Sequence, residues 1–174
     1  MAGQEEVTRV VAEISIDVGG GWCEAGGCKD FPVPFPEKLV SATLELFEGL
    51  EPPPAGRTEV YVDGEKVGEV WEGEPPEVAA DITLYAMDGK IRVCVKKITV
   101  LPMYWVGGFT ARGRLILEYV GLAEDERRTV LEVLAPEKKE VGWEDVVRWT
   151  LIATGIGVAA FGLAELVKAF RSRR

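Results

Sequence analysis

The chain has 174 residues, 47% of them apolar, which suits one domain of ordinary size with a core and an appendage. It has no His and no Asn, and its one Gln is Gln4, which excludes Ser-His-Asp, Cys-His and HExxH chemistry and any N-glycosylation sequon. Net charge is −9, but the last ten residues set Glu165 against Lys168, Arg171, Arg173 and Arg174 (+3), leaving −12 on the rest and arguing against a nucleic-acid partner.

Depleted Asn and Gln with abundant Glu and Arg fit a hyperthermophile; a skewed genomic base composition reads the same way. The opening MAGQEEVTRVVAEISIDV carries acids where a secretory signal needs a basic start and an unbroken apolar run, so no signal peptide is expected there.

Residues 7–18 are β-branched and partly alternating and read as a strand. Residues 19–36, GGGWCEAGGCKDFPVPFP, hold five glycines and three prolines without periodicity, and the expectation is a long loop. Within it Cys23 and Cys28 are separated by a four-residue spacer. That spacing can close a small disulfide loop, the favoured reading, or leave two free thiols. No second cysteine pair or His completes a zinc site. Cys94, in IRVCV, reads as a small core residue.

Residues 39–47 alternate, with Val40, Ala42, Leu44 and Leu46 expected in the core. GLEPPPAG is a turn or rigid linker. TEVYVDGEKVGEVWEG reads as a hairpin around Asp63-Gly64, which supplies the positive backbone angles of a tight turn. A short extended or turn segment, a second turn at Asp88-Gly89 and a strand from about Ile91 to Leu101 follow. PMYWVGGFTARG is an aromatic, glycine-rich loop, RLILEYV (114–120) a strand, AEDERR a charged turn, and TVLEVL (129–134) a last strand. About eight strands at this spacing give a mainly β chain, an antiparallel β-sandwich over residues 1–134.

Residues 135–145 form a charged linker, and Glu144 and Asp145 open a helix at the positive end of its dipole. The segment 149–164 is sixteen residues without a charge; to Val167 it is nineteen, interrupted by Glu165. Nineteen helical residues span roughly 28 Å, close to a bilayer's hydrocarbon core. Arg148 and Trp149 flank one end, and Lys168, Arg171, Arg173 and Arg174 the other, as in a spanning helix over 146–170 with a basic tail at 171–174. Three pairs of small residues stand four apart and let helix backbones approach: Ala153 with Gly157, Gly155 with Ala159, Ala160 with Ala164. Self-association into a homo-oligomer is expected through them. The charge asymmetry places the carboxyl terminus inside the cell and the β domain outside; the missing signal peptide points instead to tail-anchoring.

The runs SATLELFEG, EVYVDGEKVGEV, ADITLYAMDGKIRVCV and GRLILEYVG resemble the galactose-binding-like jelly-roll sandwich of glycoside hydrolase amino-terminal domains and carbohydrate-binding modules. Tyr61-Val62-Asp63-Gly64 matches that family's hairpin, and Asp81-Ile82-Thr83 with Gly89 and Ile91 its next element, the resemblance covering about residues 40–121. Asp63 and Lys90 stand where the family usually has Asn. The resemblance implies an accessory ligand-binding or structural sandwich, with Trp22, Trp71, Tyr104 and Trp105 as candidate glycan or protein contacts.

No carboxylate pair is singled out for acid/base work, and no phosphate-binding or nucleophile motif occurs, so no catalytic residue, metal or cofactor is expected. The functional expectation is a non-enzymatic, single-pass surface or envelope protein, cellular or viral, embedded in a lipid bilayer. Its alternatives are a membrane-tethered carbohydrate- or protein-binding module and a subunit of a filament or pore whose helical core replaces lipid.

Overall fold

The structure, a computed structural model, describes residues 6–135. The chain divides after Pro136 into two units, and the described residues belong to the first. The linker beyond Ala135, the helix expected at 146–170 with its packing and flanking residues, and the tail at 171–174 lie outside the described residues. Among the described residues no helix is long and apolar enough to cross a membrane.

In chain order the elements are β1 (Val7–Val18), β2 (Gly21–Trp22), β3 (Glu24–Pro32), a 3-10 turn (Pro36–Lys38), β4 (Leu39–Glu48), β5 (Gly56–Val62), β6 (Glu65–Trp71), β7 (Val78–Asp81), α1 (Thr83–Ala86), β8 (Lys90–Thr99), β9 (Trp105–Val106), β10 (Phe109–Val120) and α2 (Glu124–Leu134). One antiparallel sheet has the order β1-β10-β4-β7 and the other β3-β8-β5-β6; β2 and β9 form a two-residue ladder. Alternation puts Val10, Ile14, Leu44 and Leu115 of the first sheet and Val60, Val62, Val93 and Val95 of the second into one buried core. The fold is therefore a mainly β antiparallel sandwich. Each such aliphatic side chain stabilises it by about 1.5–3 kcal/mol.

β4 follows its expected alternation at Ala42, Leu44 and Leu46. Val40 is a correction. Tyr119 pairs with Leu39 and Glu118 with Ser41, so Val40 is an extra, bulged residue. It turns outward, and Leu39 takes the core position. A second bulge skips Phe47 between Leu46 and Glu48, exposing that ring too. At Gly113, beside this bulge, a Cβ would collide with the Glu45 carbonyl, so the close backbone approach requires glycine.

The Asp63-Gly64 hairpin stands as expected, with φ 49° and 88°. The long loop expected at 19–36 is instead largely strand: β3 pairs with β8 from Glu24–Ile98 to Pro32–Lys90. Its glycines hid the pattern, because only Ala25 and Phe31 of β3 are buried and the partner strand supplies the rest.

The last strand expected at 129–134 is instead α2. Its first turn holds Glu124, Asp125 and Glu126 at the positive dipole end, and Glu126 accepts the Ala123 N–H at 2.8 Å. Val130 and Leu134, one turn apart, are buried while Leu131 and Val133 are exposed, which is a helical period. Lys38 pairs with Glu126 at 2.6 Å and ties α2 to the turn before β4.

Candidate functional site

The strand registers collect four loops at one end of the sandwich. β1 ends at Val18 opposite Phe109, and β4 ends at Glu48 opposite Arg112. In the other sheet, Glu24 opens β3 opposite Ile98, Gly56 lies opposite Thr99, and Arg57 opposite Trp71. Residues 19–23, 49–55, 72–77 and 100–108 therefore share this end. The loops hold four charged residues, Glu51, Glu72, Glu74 and Glu77, and neither Lys nor Arg.

The end is apolar at its tip. Met103 is 84% exposed, Val100 75%, Trp22 63% and Trp105 52%. Trp22 and Trp105 face each other across the β2–β9 ladder, ring centroids 5.3 Å apart and inclined at 77°. The Cys23 N–H donates to the Tyr104 carbonyl at 2.8 Å, and the Thr99 N–H to the Cys23 carbonyl at 2.9 Å. Cys23 and Met103 hold φ of 63° and 56°, a left-handed conformation that side chains rarely adopt; at Cys23 the two backbone hydrogen bonds hold it against local preference. The uncharged run from Ile98 to Ala111 contains the whole of the longer loop.

Of the four candidate aromatics, Trp22 and Trp105 thus meet at the tip. Tyr104 is partly buried and packs on the core. Trp71 sits at the same end but on the outer face of the second sheet, under the Arg57 guanidinium at 5.3 Å. The cations nearest the tip are engaged: Arg57 with Trp71 and Glu59, and Lys97 over the Phe109 ring at 3.9 Å. Burial pushes the Lys97 ammonium below the usual lysine range, and Glu51 partly restores it.

The cysteines pair differently from the expectation. Cys28 bonds to Cys94, directly opposite it on β8 with Cα atoms 4.0 Å apart, and Cys23 is free. Strand formation extends residues 24–32, so Cys23 and Cys28 are carried apart and the small loop cannot close. Cys94 is not a core residue: it faces outward and is half-buried, and Cys28 is exposed.

Sequence reasoning missed a charged cluster on the same outer face. Glu59 is buried, accepting the Tyr61 hydroxyl at 2.5 Å and the Arg57 Nε–H at 2.7 Å, with Lys66 Nζ at 3.9 Å. Burial raises the Glu59 pKa, but the Tyr61 and Arg57 hydrogen bonds outweigh it and hold the carboxyl below its ordinary range. The alternation of Arg57, Glu59 and Tyr61 along one strand face was the available signal. Two clefts, about 340 and 530 Å³, flank Phe47 on the outer face of the first sheet, where Arg114 stacks on its ring at 5.2 Å. Neither cleft is lined by a tryptophan. Among the described residues no three Cys, Asp or Glu side chains gather as a metal site.

No protein-family profile matches the chain, and no curated protein is similar to it at a significant level. Solved structures with partial likeness include a beta-glucuronidase from an uncultured Clostridium sp., 12% identical over 63% of this chain and 29% of that one at a TM-score of 0.45. A Ruminococcus gnavus beta-glucuronidase is 13% identical over 67% of this chain and 30% of that one at 0.41. The Ruminococcus gnavus enzyme in complex with uronic deoxynojirimycin is 12% identical over 67% and 30% at 0.44. The chain spans less than a third of the length of these proteins. Likeness of this size carries no argument about activity.

Proposed function

We propose that this chain is a non-enzymatic, membrane-anchored surface protein, of a cell or a virion envelope, that displays a jelly-roll sandwich and contacts a partner protein through its aromatic end. The observation that carries the reading is the composition of that end: Trp22, Trp105, Met103 and Val100 exposed, with glutamates as the only charges in its loops. Protein interfaces have this anatomy, an uncharged core rich in Trp and Met within a charged rim. An all-acidic rim selects a partner whose own rim is basic and disfavours anionic lipid or sulfated glycan. The Trp22 and Trp105 rings are inclined at 77° and so form no coplanar shelf for a sugar ring, which favours protein over the carbohydrate alternative.

The apolar segment 149–167 supplies the anchor in this proposal, and its small-residue rows the homo-oligomer. The Cys28–Cys94 disulfide supports an outward-facing β domain, since such bonds persist in oxidising surroundings; a hyperthermophile's interior allows them as well.

A photo-crosslinking residue in place of Met103, in the full chain in its native membrane, tests the contact. A discrete protein adduct that disappears with Trp22→Ala supports it. Glycan-array binding sensitive to Trp22→Ala and Trp105→Ala favours the carbohydrate alternative, and an absence of adducts and of glycan binding rejects the aromatic end as a working surface. Release of the chain by alkaline carbonate would reject the anchor.

A further inference from the structure

We propose that the Cys28–Cys94 disulfide is a reducible site for a dithiol, and that its opening releases β3 from β8 while the β1-β10-β4-β7 sheet and its core stay in place. The bond lies on the solvent-facing side of the second sheet, with Cys28 exposed and Cys94 half-buried. On the same face the residue two before Cys28 on β3 is Gly26, which has no side chain to cover the Cys28 sulfur. Arg92 and Lys96 share that face, two residues either side of Cys94, and cations so placed favour a thiolate there. Both are engaged outward, Arg92 with Asp30 at 3.6 Å and Lys96 with Glu24 at 3.0 Å.

These positions set the order of events. A thiolate of the reductant attacks the exposed Cys28 Sγ; the Sγ–Sγ bond breaks, and Cys94 leaves as a thiolate and takes up a proton. The second thiol of the reductant then displaces Cys28. Two protein thiols and the oxidised reductant, now a disulfide, are the products.

β3 depends on this bond more than any neighbour does. It is an edge strand, paired through its length with β8 alone apart from one bridge between Gly19 and Gly26. Only Ala25 and Phe31 are buried, and Gly26 and Gly27 lie at its middle with little preference for a strand. Its cross-strand ion pairs are exposed and contribute little. By contrast β1, β4 and β10 are locked by long runs of inward aliphatic residues. β2 precedes β3 directly, so releasing β3 also unseats Trp22 from Trp105. This inference stands on the fold and does not depend on the partner proposed above.

Hydrogen exchange on the full chain, before and after treatment with dithiothreitol in native buffer, tests it. The expected result is complete reduction, with amides of residues 24–32 accelerated about tenfold or more beyond any acceleration they share with β1, β4 and β10, which stay protected. Cys28→Ser with Cys94→Ser reproduces the fast exchange without reductant, and Cys23→Ser leaves the response intact. A bond that resists dithiothreitol, a reduced chain with unchanged exchange at 24–32, or protection lost from both sheets together would each overturn the proposal. If the double variant does not fold, the wild-type comparison alone decides.

Discussion

The indole of Trp22 meets that of Trp105 edge to face at 5.3 Å, each ring on a two-residue strand outside both main sheets. Such pairs contribute about 0.5–1.5 kcal/mol beyond their burial. A double-mutant cycle with Trp22→Ala and Trp105→Ala, read by chemical denaturation, should return a coupling of about 1 kcal/mol. A coupling of zero would mean the rings do not hold each other in solution.

Cys28 and Cys94 enclose a sequence separation of 66 residues. On the chain-entropy account a loop of that size stabilises the fold by about 4 kcal/mol. Replacing both cysteines by serine should lower the unfolding free energy by an amount of that order, whereas Cys23→Ser should change it by less than about 1 kcal/mol. Equal losses in both variants would contradict the pairing.

Glu59 is held ionised by Tyr61 and Arg57 against the cost of its burial. Its folded pKa is depressed, so its contribution is complete above the unfolded pKa, about 4.3, and is lost as pH falls through the lower folded value. Stability measured from pH 6 down to pH 2 should therefore fall in the acid range, and Glu59→Gln should flatten that fall. At pH 7 the same substitution should cost roughly 1–3 kcal/mol by weakening the partners of a buried carboxylate.

Thr58 faces the core with its hydroxyl buried and unpaired. Replacing that hydroxyl with a methyl removes an uncompensated polar group at nearly constant volume. Thr58→Val should raise stability by about 1 kcal/mol, measured as a shift in denaturation midpoint at constant slope.

α2 offers a direct test of helix against strand. Leu134→Ala should cost about 2–3 kcal/mol, since it empties a buried position, and Leu131→Ala about 0.5 kcal/mol or less. A strand would pair Leu131 with Val133 on one face and reverse the neighbours' ranking.

Tyr119 is fully buried, and its hydroxyl donates to the Pro34 carbonyl at 2.9 Å. Burial pushes its pKa up to about 12. A raised folded value stabilises the protein below the unfolded pKa, about 10, and that contribution is lost as pH climbs toward the folded one. Hydrogen bonds to Glu59 and Glu65 also raise Tyr61 and Tyr85, so spectroscopic titration should show Tyr119 as the last step of a drawn-out tyrosine ionisation, with stability declining over the same alkaline range. Tyr119→Phe should remove that late step.

Local chemistry was enough for the hairpin, because Asp63-Gly64 is among the few pairs that accept two positive φ angles in succession. It was enough too for Ala42, Leu44 and Leu46, whose alternation leaves one buried face. It failed at Val40, where a bulge inverts the pattern, and at 129–134, where TVLEVL alternates well enough to pass for a strand. The acids at 124–126 were the overlooked helix signal. Trp22 and Trp105 were legible as candidates, but their meeting was not.

Composition and periodicity alone determined the absence of histidine chemistry, the β-rich body and the turn positions, because each depends on residues close together in the chain. The Cys28–Cys94 bond, the strand made from a glycine-rich segment, the buried Glu59 cluster and the convergence of four loops around Trp22 came from strand pairing between distant segments. Register is a property of two strands at once, so a single segment, however closely read, does not contain it.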